Sequence, residues 1–392
     1  MKTLNEKLKI LQSKISQRNE PIRIMIVGLG SVGLYLLDYI VSMANPNIEI
    51  IVVGRNKDKM QSDVNIVRTA ATIRRQLKSK IFIESNCNLE NIQAITDVIG
   101  KWDPDFIVNT SRVYSGLKYG SISWSNIRAY GIWTPLSVKY AKNIILAHSN
   151  ADSDAITINT SYSDAVIPWL KSAGLNYYDF GSGNLNHLIP RMKFYISQKY
   201  NIQNLEDIDI TLAVSHFHDV VISKEGHAEN QDILLDIKYK GQPLGFDKKD
   251  LLASCSISMP VDQKRNMMNA SSNFDIINSI ITSLSDKKKM KIHSPGVVGE
   301  IGGYPFIIDG ETDAKGYIDE SVFSLEGMRE ANHKSIYLDG IRGIENGILK
   351  YTPELVRKVK TAFNVELPDS VNISDADKVA DFLISAIIKP SI

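Results

Sequence analysis

Three glycines stand at the spacing G-x-G-x-x-G in Gly28-Leu29-Gly30-Ser31-Val32-Gly33. That spacing suits a turn that wraps a pyrophosphate. The first glycine allows the tight turn, the second lets the backbone approach the phosphates, and the third lets the next helix pack close to the strand. The helix that follows from Leu34 presents its N-terminus and a partial positive charge to an anion, and Ser31 and Val32 join the glycines as expected cofactor contacts. Downstream, Val53-Gly54-Arg55-Asn56-Lys57 places Gly54 where dinucleotide sites commonly carry a carboxylate for the ribose hydroxyls. Without that carboxylate a 2′-phosphate meets no repulsion, and Arg55 offers a planar fork for its oxygens. Asn56 lies beside it and Lys57 adds charge. The expected cofactor is NADP(H), with NAD(H) second.

A proton-transfer step beside such a cofactor needs a side chain that titrates near neutrality, and histidine is the natural choice. The segment Leu212-Ala213-Val214-Ser215-His216-Phe217-His218-Asp219 supplies two, read here as alternating on a strand so that one faces a cleft and the other the interior. His187, beside Gly181-Ser182-Gly183, is a third candidate. Asn109-Thr110-Ser111-Arg112 and Asn159 fall at the ends of apolar runs, where open α/β sheets bind ligands. Asn109 and Thr110 could touch the cofactor, Asn159 a ribose or substrate oxygen, and Arg112 could clamp a carboxylate. No spacing of His, Cys, Asp or Glu suggests a metal.

The elements that must position these residues alternate. Strands are predicted over 22–27, 48–53, 80–84, 105–109 and 155–159, and helices over 34–41, 57–77, 89–102 and 127–147. Such βαβ repetition means a parallel sheet with right-handed crossovers, a doubly wound Rossmann domain over 21–162. An amphipathic helix over 3–18 precedes it, within an N-terminal segment 1–20, and packs outside that domain. Past Asn159 the pattern predicts helices over 165–173, 188–200, 274–285 and 374–388. Strands are predicted over 208–215, 220–223, 233–239, 304–309 and 335–338. This is an α+β domain with antiparallel strands over 163–392, expected to build the substrate pocket and an oligomer interface. Gly299-Glu300-Ile301-Gly302-Gly303-Tyr304-Pro305 reads as a tight turn into a strand.

From Ala155 to Ser223 the order of features resembles the lactate and malate dehydrogenase superfamily. Ile156-Thr157-Ile158-Asn159-Thr160 matches the strand that ends its nucleotide domain. Gly181-Ser182-Gly183-Asn184-Leu185-Asn186 matches its glycine turn, and the segment around His216 and His218 its catalytic histidine. Asn109 to Arg112 stand where that family begins its substrate loop. The resemblance covers roughly 22–225 and implies hydride transfer to or from a small metabolite. It departs at two places. Asn186 stands where the family has the aspartate that pairs with its histidine, and Ser215-His216-Phe217-His218-Asp219 replaces Glu-His-Gly-Asp. Unless Asp219 or another carboxylate substitutes in space, the histidine is left a weaker relay, and pyruvate and oxaloacetate are expected to be poor substrates. Residues 88–109 are similar, more weakly, to saccharopine-reductase-like proteins and extended short-chain reductases, whose Tyr-x-x-x-Lys pair has no convincing match.

Composition bounds the alternatives. The 45 basic and 44 acidic residues nearly cancel, so nucleic acid and anionic membranes are not expected partners. Lys287-Lys288-Lys289 reads as a solvated loop. With 43% hydrophobic residues over 392 positions the chain can bury two cores. Its two cysteines, Cys87 and Cys255, suit a reducing, cytoplasmic setting, and no apolar run is long enough to span a bilayer. The reading is an NADP(H)-dependent oxidoreductase acting on a carbonyl or imine of a small molecule, as a homo-oligomer, most simply a homodimer. Two alternatives stay open: a non-redox enzyme that keeps a bound dinucleotide, and a dinucleotide-sensing regulatory protein.

Overall fold

The computed structural model describes residues 2–17, 20–183, 185–230 and 233–391. Asn184 of the glycine turn and residues 1, 18 and 19 of the N-terminal segment lie outside them. Six short apolar runs pair in parallel: β1 (Ile22–Val27), β2 (Ile48–Val53), β3 (Lys80–Glu84), β4 (Phe106–Asn109), β5 (Ile156–Asn159) and β6 (Phe180–Gly181). Their order is β3-β2-β1-β4-β5-β6. Strands β1, β2, β4 and β5 are buried at nearly every position because helices cover both faces. The order reverses between β1 and β4, which opens a crevice at the carboxyl ends of those strands. The two-residue β6 carries this sheet beyond residue 162.

Helices α1 (Leu4–Gln17), α2 (Ser31–Ser42), α3 (Lys57–Ile73), α4 (Ile92–Trp102), α5 (Gly116–Asn126), α6 (Thr134–Asn150), α7 (Ser163–Ser172) and α8 (Leu185–Tyr200) accompany the sheet. The helix expected over 127–147 is divided into α5 and α6 by a turn at Arg128, whose φ is 52°. Helix α1 does more than pack outside the first domain. It lies against both the end of the sheet and the second domain, anchored by the buried ion pair of Lys7 Nζ and Asp179 Oδ2 at 2.7 Å. Asp179 also accepts from the Thr157 N–H at 2.8 Å, so its charge is shared by three donors.

The remainder holds β7 (Ile208–Ala213), α9 (His216–Glu225), β8 (Leu234–Tyr239), β9 (Gln242–Pro243), α10 (Lys248–Ser254) and α11 (Asn266–Asp286). After these come β10 (Lys289–Pro295), β11 (Gly303–Asp309), β12 (Lys315–Ile318), α12 (Leu325–Leu338), β13 (Ile341–Glu345), β14 (Ile348–Tyr351), α13 (Pro353–Phe363), β15 (Ser370–Asn372) and α14 (Ala376–Leu383). The nine strands β7 to β15 form three antiparallel three-stranded sheets, as the α+β reading requires.

His216 and His218 do not lie on a strand, and 220–223 is not a strand. Strand β7 stops at Ala213, and Ser215 turns the chain into α9, with its carbonyl accepting from the Asp219 N–H at 3.3 Å. Gly226, in the left-handed region at φ 73°, closes the helix. Residues 335–338 end α12 instead of forming a strand; that helix starts at its cap Ser324, whose hydroxyl accepts from the Gly327 N–H at 3.2 Å. Lys289 is not in a solvated loop. It opens β10, which pairs with β11. Among the described residues no helix is long and apolar enough to cross a membrane.

Candidate active site

One pocket of about 730 Å³ runs along the carboxyl ends of β1, β2, β4 and β5 and under α9 and the start of α11. At its phosphate end, β1 delivers the chain into Gly28 at φ +97°. A Cβ there would lie 2.9 Å from the Ser111 backbone, and one on Gly33 would lie 2.3 Å from the Gly28 carbonyl oxygen. Both glycines are therefore required by close backbone approach. Gly30 differs, for a Cβ on it would meet nothing within 4 Å. That open side faces the pocket. Gly30 caps α2 without a side-chain acceptor, so the first N–H groups of the helix are left free where Leu29, Gly30, Ser31 and Val32 line the wall. A pyrophosphate fits this cradle.

At the end of β2 the wall is formed by Gly54, Arg55, Asn56 and Lys59. Asn56 accepts from the Lys59 N–H at 2.9 Å and so caps α3. Lys59, not Lys57, reaches the pocket, and it also pairs with Asp63 one helical turn on. The acids among the described lining residues are Asp164 and Asp219, from α7 and α9 near His216, so no carboxylate lines this end.

Between the two ends, Thr110 Oγ1 donates to the Gly28 carbonyl at 2.5 Å and binds the β4 terminus to the glycine turn. Asn109 and Asn159 lie beneath the pocket, not in its wall. Asn109 Nδ2 donates to Asn159 Oδ1 at 3.0 Å, and Asn109 Oδ1 accepts from the Ser111 N–H at 3.1 Å. Asn159 Nδ2 donates to the Ser161 carbonyl at 3.0 Å and to Ser163 Oγ at 3.1 Å. Both amides are consumed in holding strand ends and turns together. Asn186 is likewise committed, donating to Ser272 Oγ of α11 at 3.0 Å. Arg112 does line the pocket, with Nη1 against Gly116 and the guanidinium beside Tyr119 and Tyr130. None of the ion pairs among the described residues involves it.

The two histidines separate sharply. Positions i and i+2 of a helix lie about 200° apart, so they face nearly opposite ways, as on a strand. His218 is buried, with Nδ1 2.8 Å from Ser335 Oγ and Nε2 3.0 Å from the Glu229 carbonyl. Both its nitrogens are satisfied, and it does not line the pocket. His216 opens α9 and faces the pocket. Its Nδ1 lies 2.9 Å from Asp339 Oδ2, and its backbone N–H donates to Asp164 Oδ1 at 3.1 Å. Burial pulls the imidazole pKa down, but Asp339, then Asp164 and Asp219, outweigh it and hold the pKa above the ordinary value.

Asp339 was not legible as a site residue. It follows α12, 123 positions from His216. Its buried carboxylate also accepts from the Tyr130 N–H at 2.6 Å and the Tyr162 hydroxyl at 2.7 Å. Tyr162 sits at φ 45°, a costly conformation for an aromatic residue, and this bond is among its compensations. The rings of Tyr130 and Tyr162 pack against the imidazole with centroids 4.6 and 5.1 Å away. The carboxylate that the sequence left open as a substitute in space is Asp339. Asp339 takes over in space what Asn186 cannot do.

His187 also lines the pocket. Burial, reinforced by Arg191 and Arg265, pushes its pKa down to about 3, so it stays neutral. Asp164 and Asp219 are pushed up by burial, to about 6 and about 8.

Solved structures with the same fold include malate and lactate dehydrogenases. The malate dehydrogenase from Aeropyrum pernix is 15% identical, with a TM-score of 0.52 over 81% of this chain and 97% of that one. The malate dehydrogenase from Plasmodium falciparum, in complex with NADH, is 13% identical, with a TM-score of 0.52 over 88% and 99%. The lactate dehydrogenase from Cryptosporidium parvum, complexed with lactic acid and nicotinamide adenine dinucleotide, is 13% identical, with a TM-score of 0.53 over 92% and 98%. No family model matches the sequence, and no curated protein matches it. At such identities the likeness is one of fold: a Rossmann sheet with an α+β domain, the two-domain architecture of those dehydrogenases.

Proposed function

We propose that this chain is a nicotinamide-dinucleotide-dependent dehydrogenase that prefers NADP(H) and acts on a carbonyl or imine of a small metabolite. The observation that carries this reading is the continuity of one pocket from an uncapped helix N-terminus at Gly30 to the His216–Asp339 pair. Gly30, Ser31 and Val32 would hold the pyrophosphate. Arg55 and Lys59 would meet a 2′-phosphate, a preference supported by the lack of a lining carboxylate at that end. When bound, the nicotinamide accepts or supplies the hydride.

The chain's own residues do the rest. Asp339 fixes the His216 ring through Nδ1, which leaves Nε2 to give a proton to the substrate as it is reduced, or to take one from the substrate as it is oxidised. The rings of Tyr130 and Tyr162 pack against that imidazole and help hold its plane. Arg112, with no carboxylate partner among the described residues, is suited to a substrate carboxylate in bidentate fashion. A cytoplasmic homo-oligomer remains the expected setting. Mass spectrometry of small molecules retained by the purified protein, together with NADPH fluorescence titration, tests the reading. Failure to bind either nicotinamide dinucleotide would remove it.

A further inference from the structure

The surroundings of His216 are more acidic than reduction of a keto group calls for. Asp339 occupies Nδ1, Asp164 receives the backbone N–H, and Asp219 lies one helical turn beyond His216 on the same face of α9. Asp164 and Asp219 both line the pocket. Carbonyl reduction builds negative charge on oxygen, which carboxylates beside it oppose. A cationic nitrogen would be drawn to the same place.

Asp219 adds a more specific signal. It is 3% exposed, and its Oδ1 is buried with no hydrogen-bond partner among the described residues. Arg191 and Arg265 act on it electrostatically, yet neither forms an ion pair with it. Arg191 Nη1 is taken by the carbonyls of Cys255 at 2.9 Å and Ser223 at 3.3 Å. The buried His187 Nε2 and Ser223 Oγ also lack partners and line the same pocket. Buried polar atoms left unpaired are costly, so three of them in one wall mark where a ligand's polar groups complete the bonding. Burial alone favours the neutral form of Asp219, and a cation beside it favours the ionised form. A keto oxygen brings neither that charge nor a donor to Oδ1. A primary ammonium brings the charge and three donors.

We propose that the group bound between Asp164 and Asp219 is a cationic nitrogen, so that the substrate is an amino acid or amine in one direction and its imine in the other. The inference rests on the dehydrogenase reading for its chemistry, though not for the binding preference. In the oxidative direction, His216 Nε2 takes one proton from the ammonium. The substrate C–H bond then breaks with its electron pair leaving as hydride to the oxidised nicotinamide. The nitrogen lone pair closes the C=N bond, leaving a protonated imine and a protonated His216. The substrate loses two electrons and the nicotinamide gains them. Reduction runs the same steps backward.

The test compares L-norvaline with L-2-hydroxyvalerate, which differ at the ammonium. Calorimetric titration into the full chain, with and without NADP⁺, should show norvaline binding at least about tenfold tighter, the scale of a charge-assisted bond. Asp219→Asn, nearly isosteric, should bring the ratio close to one, and Asp164→Asn should reduce it. NADPH oxidation with 2-oxovalerate should require added ammonium. Equal or weaker binding of norvaline, binding of neither compound, or a ratio untouched by both substitutions would overturn the proposal. Ammonium-independent turnover of 2-oxovalerate would overturn it while leaving the dehydrogenase reading intact. Loss of that reading would show instead as absent nicotinamide binding, with the norvaline preference measured separately.

Discussion

Asp339 Oδ2 stands 2.9 Å from His216 Nδ1, and the rings of Tyr130 and Tyr162 pack against that imidazole. A carboxylate at the end of α12 thus fixes the orientation of a histidine at the start of α9. The pairing makes Asp339 a positioning residue with a pH signature. In the reductive direction His216 must be protonated, and its pKa is held above the ordinary value. Reductive kcat/KM should therefore be flat at low pH and fall as pH rises through that elevated pKa. Asp339→Asn removes the largest raising influence and leaves burial to pull the pKa down, against only Asp164 and Asp219. The falling limb should move to lower pH, and the plateau should drop about 10²- to 10⁴-fold with NADPH affinity retained. An unshifted limb would make Asp339 a structural residue only.

The two histidines should behave oppositely. His216→Asn should lower turnover about a hundredfold or more and leave the melting temperature near that of the parent. His218→Asn removes partners from Ser335 and the Glu229 carbonyl, and should lower stability by about 1–3 kcal/mol while the folded fraction keeps its turnover. Steady-state rates and thermal melts on both variants decide the assignment.

The glycines of the turn should separate folding from binding. Gly30 has φ −84° and open space on its pocket side, so Gly30→Ala should fold normally and lose NADPH affinity by obstructing the phosphates. Gly33→Ala drives a Cβ to 2.3 Å from the Gly28 carbonyl oxygen. It should cost roughly 1–3 kcal/mol of stability in addition to binding. Melting curves paired with fluorescence titration distinguish the two.

Cofactor preference should reside in Arg55 and Lys59. Removing both should weaken NADPH about ten- to a hundredfold and NADH little, because only NADPH carries the 2′-phosphate. Equal losses would refer the two side chains to general electrostatics.

Asp219 should leave a mark on stability. Its pKa is pushed up to about 8, by burial first and Asp164 last among its raising influences, with His216, Arg191 and Arg265 opposing. A carboxyl raised in the folded state favours folding when protonated. Its contribution is fully present below the ordinary aspartate pKa and is lost as pH rises toward about 8. Asparagine does not titrate, so Asp219→Asn should gain on the parent between pH 4 and pH 8 by on the order of a few kcal/mol, then hold level. A constant difference across that range would refute the assignment.

The sequence alone determined the Rossmann half. The apolar runs of β1, β2, β4 and β5, the glycine spacing and the absent acid at Gly54 are local patterns. Their consequences, a parallel sheet and a phosphate-ready turn, follow from backbone geometry within each βαβ unit. The split between a pocket-facing and a buried histidine was also legible, although the strand was not, because helix and strand both set residues i and i+2 on nearly opposite faces. The stop signals at Ser215 and Gly226 are local as well, and they mark α9 once the histidines are set aside. What only the tertiary structure decided is the chemistry around His216. Asp339 comes from a turn 123 residues away, Asp164 from α7 and His187 from α8, and nothing in the spacing of these residues announces the others. Asn109 and Asn159, well placed in sequence, are drawn under the pocket because two strand ends needed their amides. A hydrogen bond across folded layers leaves no periodicity in the chain, so the pairing exists only where packing brings its partners together.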